Sequence, residues 1–412
     1  MEVLFRNIKG LYGIREAGIE KVSGKEMADF PGIENAWLLA RDGRIADFGP
    51  TNSCPESNGK TIDLQGRFLL PTFIDSHTHI IYAGTREGEF RDRIKGLSYE
   101  EIATRGGGIL NSARKLRESN EAQLLETALQ RINEVMLLGT GALEIKSGYG
   151  LNVESELKML HIARQIGELL PIPVKSTFLG AHAVPQEFHN NRKGYLKLVI
   201  GEILPRVAEE NLADFVDIFC EKNYFTPDES RQLFEAARKY GLRPKVHVNQ
   251  FNSIGGLQAA LEFNALSVDH LEVLTNEDLV SLGEHPDTMP VALPGCSFFL
   301  GIPYTNARRI IDAGGALAIA SDYNPGSAPS GNISFLLSLA CIRMKLLPEE
   351  ALNAVTLNAA YALELQDELG SITRGKRASL IITKEIPSLS YIPYHFSHNM
   401  IENVFIKDSF LL

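Results

Sequence analysis

Few cysteines, a single tryptophan, no long apolar run and no cluster of basic residues: the chain is first defined by what it lacks. Its four cysteines, Cys54, Cys220, Cys296 and Cys341, are far apart and form no C-x-x-C pair. That spacing excludes both a disulfide framework and a thiolate zinc site as readings of the sequence. No segment approaches the roughly 20 apolar residues that span a bilayer. The opening MEVLFRNIKGLYGIREAG shows neither a long apolar core nor a small-residue cleavage pattern, so the expected location is the cytoplasm. Forty-one basic residues against fifty-one acidic ones give a net charge of -10, and Lys and Arg are dispersed. Neither nucleic acid nor a membrane is an expected partner.

What is present is the composition of a large globular protein, 44% hydrophobic and 22% charged over 412 residues. From about residue 70, short runs rich in Val, Ile, Leu and Ala alternate with amphipathic stretches, the pattern of repeated β-α units. Eight such runs can be read: FLLPTFIDSHTH, GALEIKSGYG, PVKSTFLGAHAV, FVDIFCE, PKVHVNQF, ALSVDHLE, TMPVALPGC and ALAIASDYNP. Between them, NEAQLLETALQRINEVMLLG and ESELKMLHIARQIGELL carry apolar residues at helical spacing. The reading is an α/β chain with a TIM-like (β/α)8 barrel over residues 70–366. Before it, NAWLLARDGRIADFG holds an Asp42-Gly43 hairpin signal; after it, LGSITRGKRASLIIT and NMIENVFIKDSFLL return to strand patterns. Residues 1–69 and 367–412 are therefore expected to form one small β-sandwich-like domain into which the barrel is inserted.

In such a barrel the active site lies at the C-terminal ends of the strands. There the first run carries His77 and His79, the third His182, the fifth His247, the sixth Asp269-His270 and the eighth Ser321-Asp322. RFLLPTF reads as one strand, and side chains alternate along a strand, so His77 and His79 project to the same side. Alone, that pair is equally an ordinary strand feature or a chelate; converging with the other histidines and Asp322 on one mouth, it points to a metal site.

The pattern of His-x-His, two later histidines and a terminal aspartate resembles the amidohydrolase superfamily. TFIDSHTHIIYAGTREGEF, the GGGI of Gly106 to Ile109, EIKSGYG, TFLGAHAVP, FCE, SVDHLE and ASDYNPGS together look like its imidazolonepropionase family, over nearly the whole chain. The resemblance implies metal-dependent hydrolysis of the cyclic amide of 4-imidazolone-5-propanoate to N-formimidoyl-L-glutamate, in histidine degradation. It implies one divalent metal ion, zinc or iron, on His77, His79, His247 and Asp322. Near neutral pH such a metal lowers the pKa of its water to about 7. Asp322 would also take the proton, His270 orient the water, and His182 polarise the substrate carbonyl. Arg86 and Tyr149 match the family's partners for the propionate, with Tyr99 a further contact; Asn324, Gly326 and Ser327 resemble the loop at the product's glutamate end. A homodimer is compatible with the family.

One position departs from related deaminases, which place a glutamate three residues after the fifth-strand histidine. Here the run is His247-Val248-Asn249-Gln250, and an amide recognises a ring but carries no proton. This argues against a purine or pyrimidine deaminase. The alternatives are another amidohydrolase and, from a different class, a noncatalytic barrel protein. Gly106-Gly107-Gly108 lacks the following Gly-Lys-Ser/Thr of a phosphate loop and reads as a cover near the substrate. Lys146 and Lys222 read as unmodified and Glu221 as supporting, while His161, His189, His285, His395 and His398 read as structural or surface residues.

Overall fold

The computed structural model describes residues 1–97, 101–102 and 105–411. Eight parallel strands follow one another in chain order: Phe73–Asp75, Thr140–Lys146, Val174–Ala181, Phe215–Cys220, Arg243–Val248, Ser267–His270, Met289–Ala292 and Ala318–Ile319. The first and last are joined beyond their ends, where Asp322 N donates to His77 O (2.9 Å) and His79 N to Tyr323 O (3.0 Å). The result is a nearly closed (β/α)8 barrel. Helices Glu121–Leu137 and Val153–Leu169 occupy the two amphipathic stretches. Each starts at an asparagine, Asn120 or Asn152, whose side chain accepts a backbone N–H of the first turn. Among the described residues no helix is long and apolar enough to cross a membrane.

The two chain ends share a second sheet. Its order is Ser409–Phe410, Ile401–Ile406, Leu380–Thr383, Phe68–Pro71, Glu2–Tyr12, Gly32–Arg41 and Arg44–Pro50, with Lys60–Asp63 also paired to the strand Glu2–Tyr12. The Asp42-Gly43 hairpin is present, both residues having positive φ (49° and 74°), as a primed two-residue turn needs.

One expected strand is two. Phe68–Pro71 pairs in the terminal sheet, and the barrel begins afresh at Phe73. Thr72 sits at the junction, its N–H donating to Ser379 O and its hydroxyl bonded to the Ser379 hydroxyl. An apolar run cannot reveal which of two sheets its halves join. His77 and His79 consequently lie just beyond a three-residue strand, in backbone still tied to the eighth.

Inside the barrel, alternation turns polar residues inward in layers. Glu144 and Lys146 from the second strand, Asp217 from the fourth, Lys245 and His247 from the fifth, and Asp269 from the sixth are all buried. Lys146 Nζ lies 2.9 Å from Glu144 Oε1, 2.8 Å from Asp217 Oδ2 and 3.8 Å from Asp269 Oδ2. Burial lowers the affinity of Lys146 for its proton, but these three carboxylates outweigh it and raise its pKa. Carboxylation requires a neutral amine, so this lysine is an ammonium that balances the carboxylates beneath the mouth.

Candidate metal and substrate site

Above that charged layer the imidazoles meet. His79 Nε2 and His247 Nε2 are 3.3 Å apart, and Asp322 Oδ1 is 3.6 Å from both His77 Nε2 and His79 Nε2. A tetrahedral ion with metal–nitrogen bonds of about 2.0–2.1 Å needs donors about 3.3–3.4 Å apart, so the spacing fits one divalent cation. His77 Nε2 is buried and has no hydrogen-bond partner, the condition expected of a ligand atom. Burial pushes His77, His79 and His247 well below the usual imidazole range, with the Lys146 ammonium adding to the effect at His77 and His247. The rings are neutral and their lone pairs available. Burial raises the Asp322 carboxyl to about 6, against the opposing pull of His270 and of the Asn324 and Ser327 donors.

Carboxylates from the layer below orient the rings. His77 Nδ1 lies 2.6 Å from Asp269 Oδ2; because a carboxylate only accepts, the ring proton sits on Nδ1 and Nε2 faces the cluster. His247 Nδ1 is 2.9 Å from Asp217 Oδ2, a close approach whose angle falls short of a hydrogen bond, and the His247 backbone N–H donates to Asp217 Oδ1 (3.2 Å). His270 Nδ1 lies 3.3 Å from Glu272 Oε1. Burial lowers the His270 pKa, but Glu272, with Asp322 and Asp269, outweighs it and raises the pKa overall. Sequence reasoning missed Asp217, Glu272 and the part played by Asp269. For Asp217 and Asp269 the signal was charge inside parallel strands, which ordinarily read as continuous apolar runs; Glu272 lies two residues past the end of its strand.

The mouth is also where the backbone is strained. Asn249 (φ 56°), His270 (φ 88°), Leu271 (φ 62°) and Asp322 (φ 55°) all lie in the left-handed region. Asn and Asp tolerate it; for His270 and Leu271 it costs of order 1–3 kcal/mol each. Packing around the strand ends holds His270 in a conformation it would leave as a free peptide.

A cavity of about 40 Å³ opens over the cluster, lined among others by His79, His247, His270, His182, Asp322, Arg86, Tyr149, Gln250, Asn324 and Ser327. Ten of the thirteen residues singled out in the sequence thus share one space. His77 lies behind it, wholly buried. Gly326 lies behind Arg86: a Cβ there would collide with the guanidinium. Tyr99 lies outside the described residues. Ile109, Phe219 and Leu300 complete the lining; the first two stand in the GGGI and FCE motifs, whereas Leu300 carried no sequence signal beyond being apolar. Ile109 also borders an outer cavity of about 680 Å³ that includes Gly107, Gly108, His189, Lys222 and Tyr224. His189, read as a structural or surface residue, lines this outer cavity.

The contacts of four of these residues bear on the roles expected of them. His182 Nδ1 lies 3.1 Å from Gly148 O, and burial lowers its pKa to about 4. Neutral, with its one proton donated to a carbonyl, His182 presents Nε2 as an acceptor and has no proton with which to polarise a substrate carbonyl. Asn324 is spent on its own loop. Its Nδ2 donates to Asp322 O (2.6 Å) and Ser327 Oγ (2.7 Å), and its Oδ1 accepts from Gly326 N (2.7 Å) and Ser327 N (2.8 Å). Glu221 holds the turn after Gln250, accepting from Phe251 N (2.9 Å) and Asn252 N (3.1 Å). Arg86 Nε donates to Glu89 Oε2 (2.8 Å), and Glu89 Oε1 accepts from Gly108 N (3.1 Å) and Asn111 Nδ2 (3.2 Å), so one carboxylate ties the arginine to the triple-glycine turn.

Comparison with known proteins now decides the lineage. The Amidohydrolase family profile matches residues 68–410. An imidazolonepropionase of Christiangramia forsetii is 56% identical over 99% of this chain and 99% of its own. The chain belongs to the amidohydrolase family and, within it, to the imidazolonepropionases. An imidazolonepropionase of Flavobacterium johnsoniae is 55% identical over 98% of this chain and 99% of its own. Among solved structures, Escherichia coli guanine deaminase superposes with a TM-score of 0.74 at 14% identity, over 100% of this chain and 99% of its own, a likeness of fold alone.

Proposed function

We propose that this chain hydrolyses the ring amide of 4-imidazolone-5-propanoate to N-formimidoyl-L-glutamate, a step of histidine degradation. The observation that carries the reading is one cavity in which a cluster of neutral imidazoles and Asp322 faces Arg86 and Gln250, in a chain whose relatives of this name match it end to end.

His77, His79, His247 and Asp322 would hold one divalent ion; three imidazoles and one carboxylate suit zinc and iron alike. When bound, the ion supplies Lewis acidity, which lets water ionise near neutral pH. Asp322, its carboxyl raised to about 6 by burial, takes the proton of the attacking water. His270, held by Glu272, orients that water. The water oxygen joins the ring carbonyl carbon, the carbon–nitrogen bond breaks, and the departing nitrogen takes a proton from Asp322 or His270. His182 accepts a ring N–H at Nε2, and Gln250 contributes an amide to recognition. Arg86, buried against Glu89 and Gly326, pairs with the propionate, with Tyr149 beside it and the Asn324–Ser327 loop closing the far end; Tyr99 is a further contact that the family resemblance implies. The partner is a small molecule and the expected location the cytoplasm; a homodimer is compatible with the family.

The test is to offer purified, metal-replete protein freshly generated imidazolone propionate alongside neutral cyclic amides and aminopurines, following products by mass spectrometry. N-formimidoylglutamate appearing faster than spontaneous decay supports the reading. Turnover of a neutral substrate with none of imidazolone propionate overturns it.

A further inference from the structure

Beside the cavity lies a donor group that ring opening does not use as a set. A His270 ring nitrogen, a Glu272 carboxylate oxygen and Cys296 Sγ fall within 4.8 Å of one another, and all three residues are buried. Glu272 Oε1 has two neighbours, His270 Nδ1 at 3.3 Å and the Ser297 hydroxyl at 3.3 Å. Its other oxygen, Oε2, is buried and meets no hydrogen-bond partner, although the side chain is wholly enclosed. Buried carboxylate oxygens are ordinarily satisfied by donors, and an orphan beside an imidazole nitrogen and a sulfur is the arrangement a cation completes. Imidazole, carboxylate and thiolate together select zinc and softer ions over magnesium or calcium. Access runs through the mouth: Gln250 lines the cavity, and its Nε2 donates to Cys296 Sγ (3.3 Å), so moving one amide exposes the sulfur.

The geometry points to a second, inhibitory metal site at His270, Glu272 and Cys296, taking a thiophilic divalent ion such as cadmium or excess zinc. The ion replaces the thiol proton, which leaves to solvent, and displaces the Nδ1 proton of His270 that faces Glu272. That proton moves to Nε2, where His270 can no longer accept. The inhibition therefore rests on the role proposed for His270; binding of the ion does not.

Cadmium chloride titrated into the zinc-replete full chain tests both parts, with thiolate-to-metal charge-transfer absorption and turnover read together. A band saturating at one equivalent per chain is expected, with turnover falling about tenfold or more as it grows. Cys296→Ser removes the band, whereas Cys54→Ser and Cys341→Ser keep it. Glu272→Gln keeps the band and weakens cadmium binding about 10- to 100-fold, which reads the site even if Cys296→Ser does not fold. No band, or one that survives Cys296→Ser, overturns the site; a saturated band with undiminished turnover overturns its inhibitory character. Should the zinc-replete protein fail to open imidazolone propionate at all, the proposed function falls while the absorption titration still decides the site.

Discussion

Asp269→Asn removes a single negative charge behind the ion site while keeping the shape of the side chain. In the parent, Asp269 Oδ2 lies 2.6 Å from His77 Nδ1, and Ser267 Oγ donates to Oδ1 (2.6 Å). Asparagine can turn its oxygen to His77 and its amide N–H to Ser267, whose hydroxyl then accepts, so the ring keeps its orientation but loses a charged acceptor. Hydrogen bonds to charged groups contribute about 1.5–3 kcal/mol and neutral ones about 0.5–1.5, so the loss at His77 is about 1–2 kcal/mol. That corresponds to about 5- to 30-fold in metal affinity, overlapping the lower part of the range of about 10- to 100-fold known for such outer partners. The fold should hold, because Lys146 keeps its two shorter ion pairs, to Glu144 and Asp217. Competition with a chromophoric chelator reads the affinity, and urea unfolding of the metal-free protein reads the stability. A metal affinity within about threefold of the parent, with unchanged unfolding, would refute the claim that Asp269 sets the basicity of His77.

The remaining predictions concern substrate binding and the terminal sheet. Arg86→Ala should keep the metal and raise KM about 10- to 100-fold, as expected for losing a buried charge-assisted contact; an unchanged KM would remove Arg86 from the propionate. Gly326→Ala should also raise KM with kcat near the parent's, since the new methyl displaces the Arg86 guanidinium; steady-state kinetics decide it. Lys376, whose Nζ donates to Leu369 O and Ser371 Oγ, has its pKa lowered by burial from 10.5 to about 8. Below pH 8 both folded and unfolded chains carry its proton and the burial penalty is complete. Between pH 8 and 10.5 only the unfolded chain does, so this group's contribution to stability rises with pH. The stability gap between Lys376→Met and the parent should therefore move in the parent's favour from pH 7 to pH 10 in denaturant melts, and a gap independent of pH would contradict the burial effect.

The cluster of His77, His79, His247 and Asp322 was legible in the sequence because each sits at or just beyond the end of a strand that can be recognised locally, and the barrel brings such ends together whatever fills the loops. Gln250 could be read because it lies three residues after His247, and Arg86 because it stands in the TFIDSHTHIIYAGTREGEF stretch that carries the family resemblance. The carboxylate Asp217 could not, because what matters is a through-space approach to His247 on the neighbouring strand, and nothing in the residue type of Glu272 announces that its oxygen meets the ring two residues before it. His182 shows the limit most sharply. Its presence at the mouth was readable, but its direction of hydrogen bonding depends on Gly148 O, a backbone atom that no residue type announces. The break at Thr72 was hidden because both halves of an apolar run look alike until two different sheets claim them.

Stepwise return of zinc or iron(II) to metal-stripped protein, with turnover of imidazolone propionate and bound metal measured in the same samples, tests the central claim most directly. The account predicts activity that rises with the first ion bound, plateaus at one per chain, and is lost together with the ion in Asp322→Asn. Full turnover by the metal-free protein, or by Asp322→Asn, would contradict it.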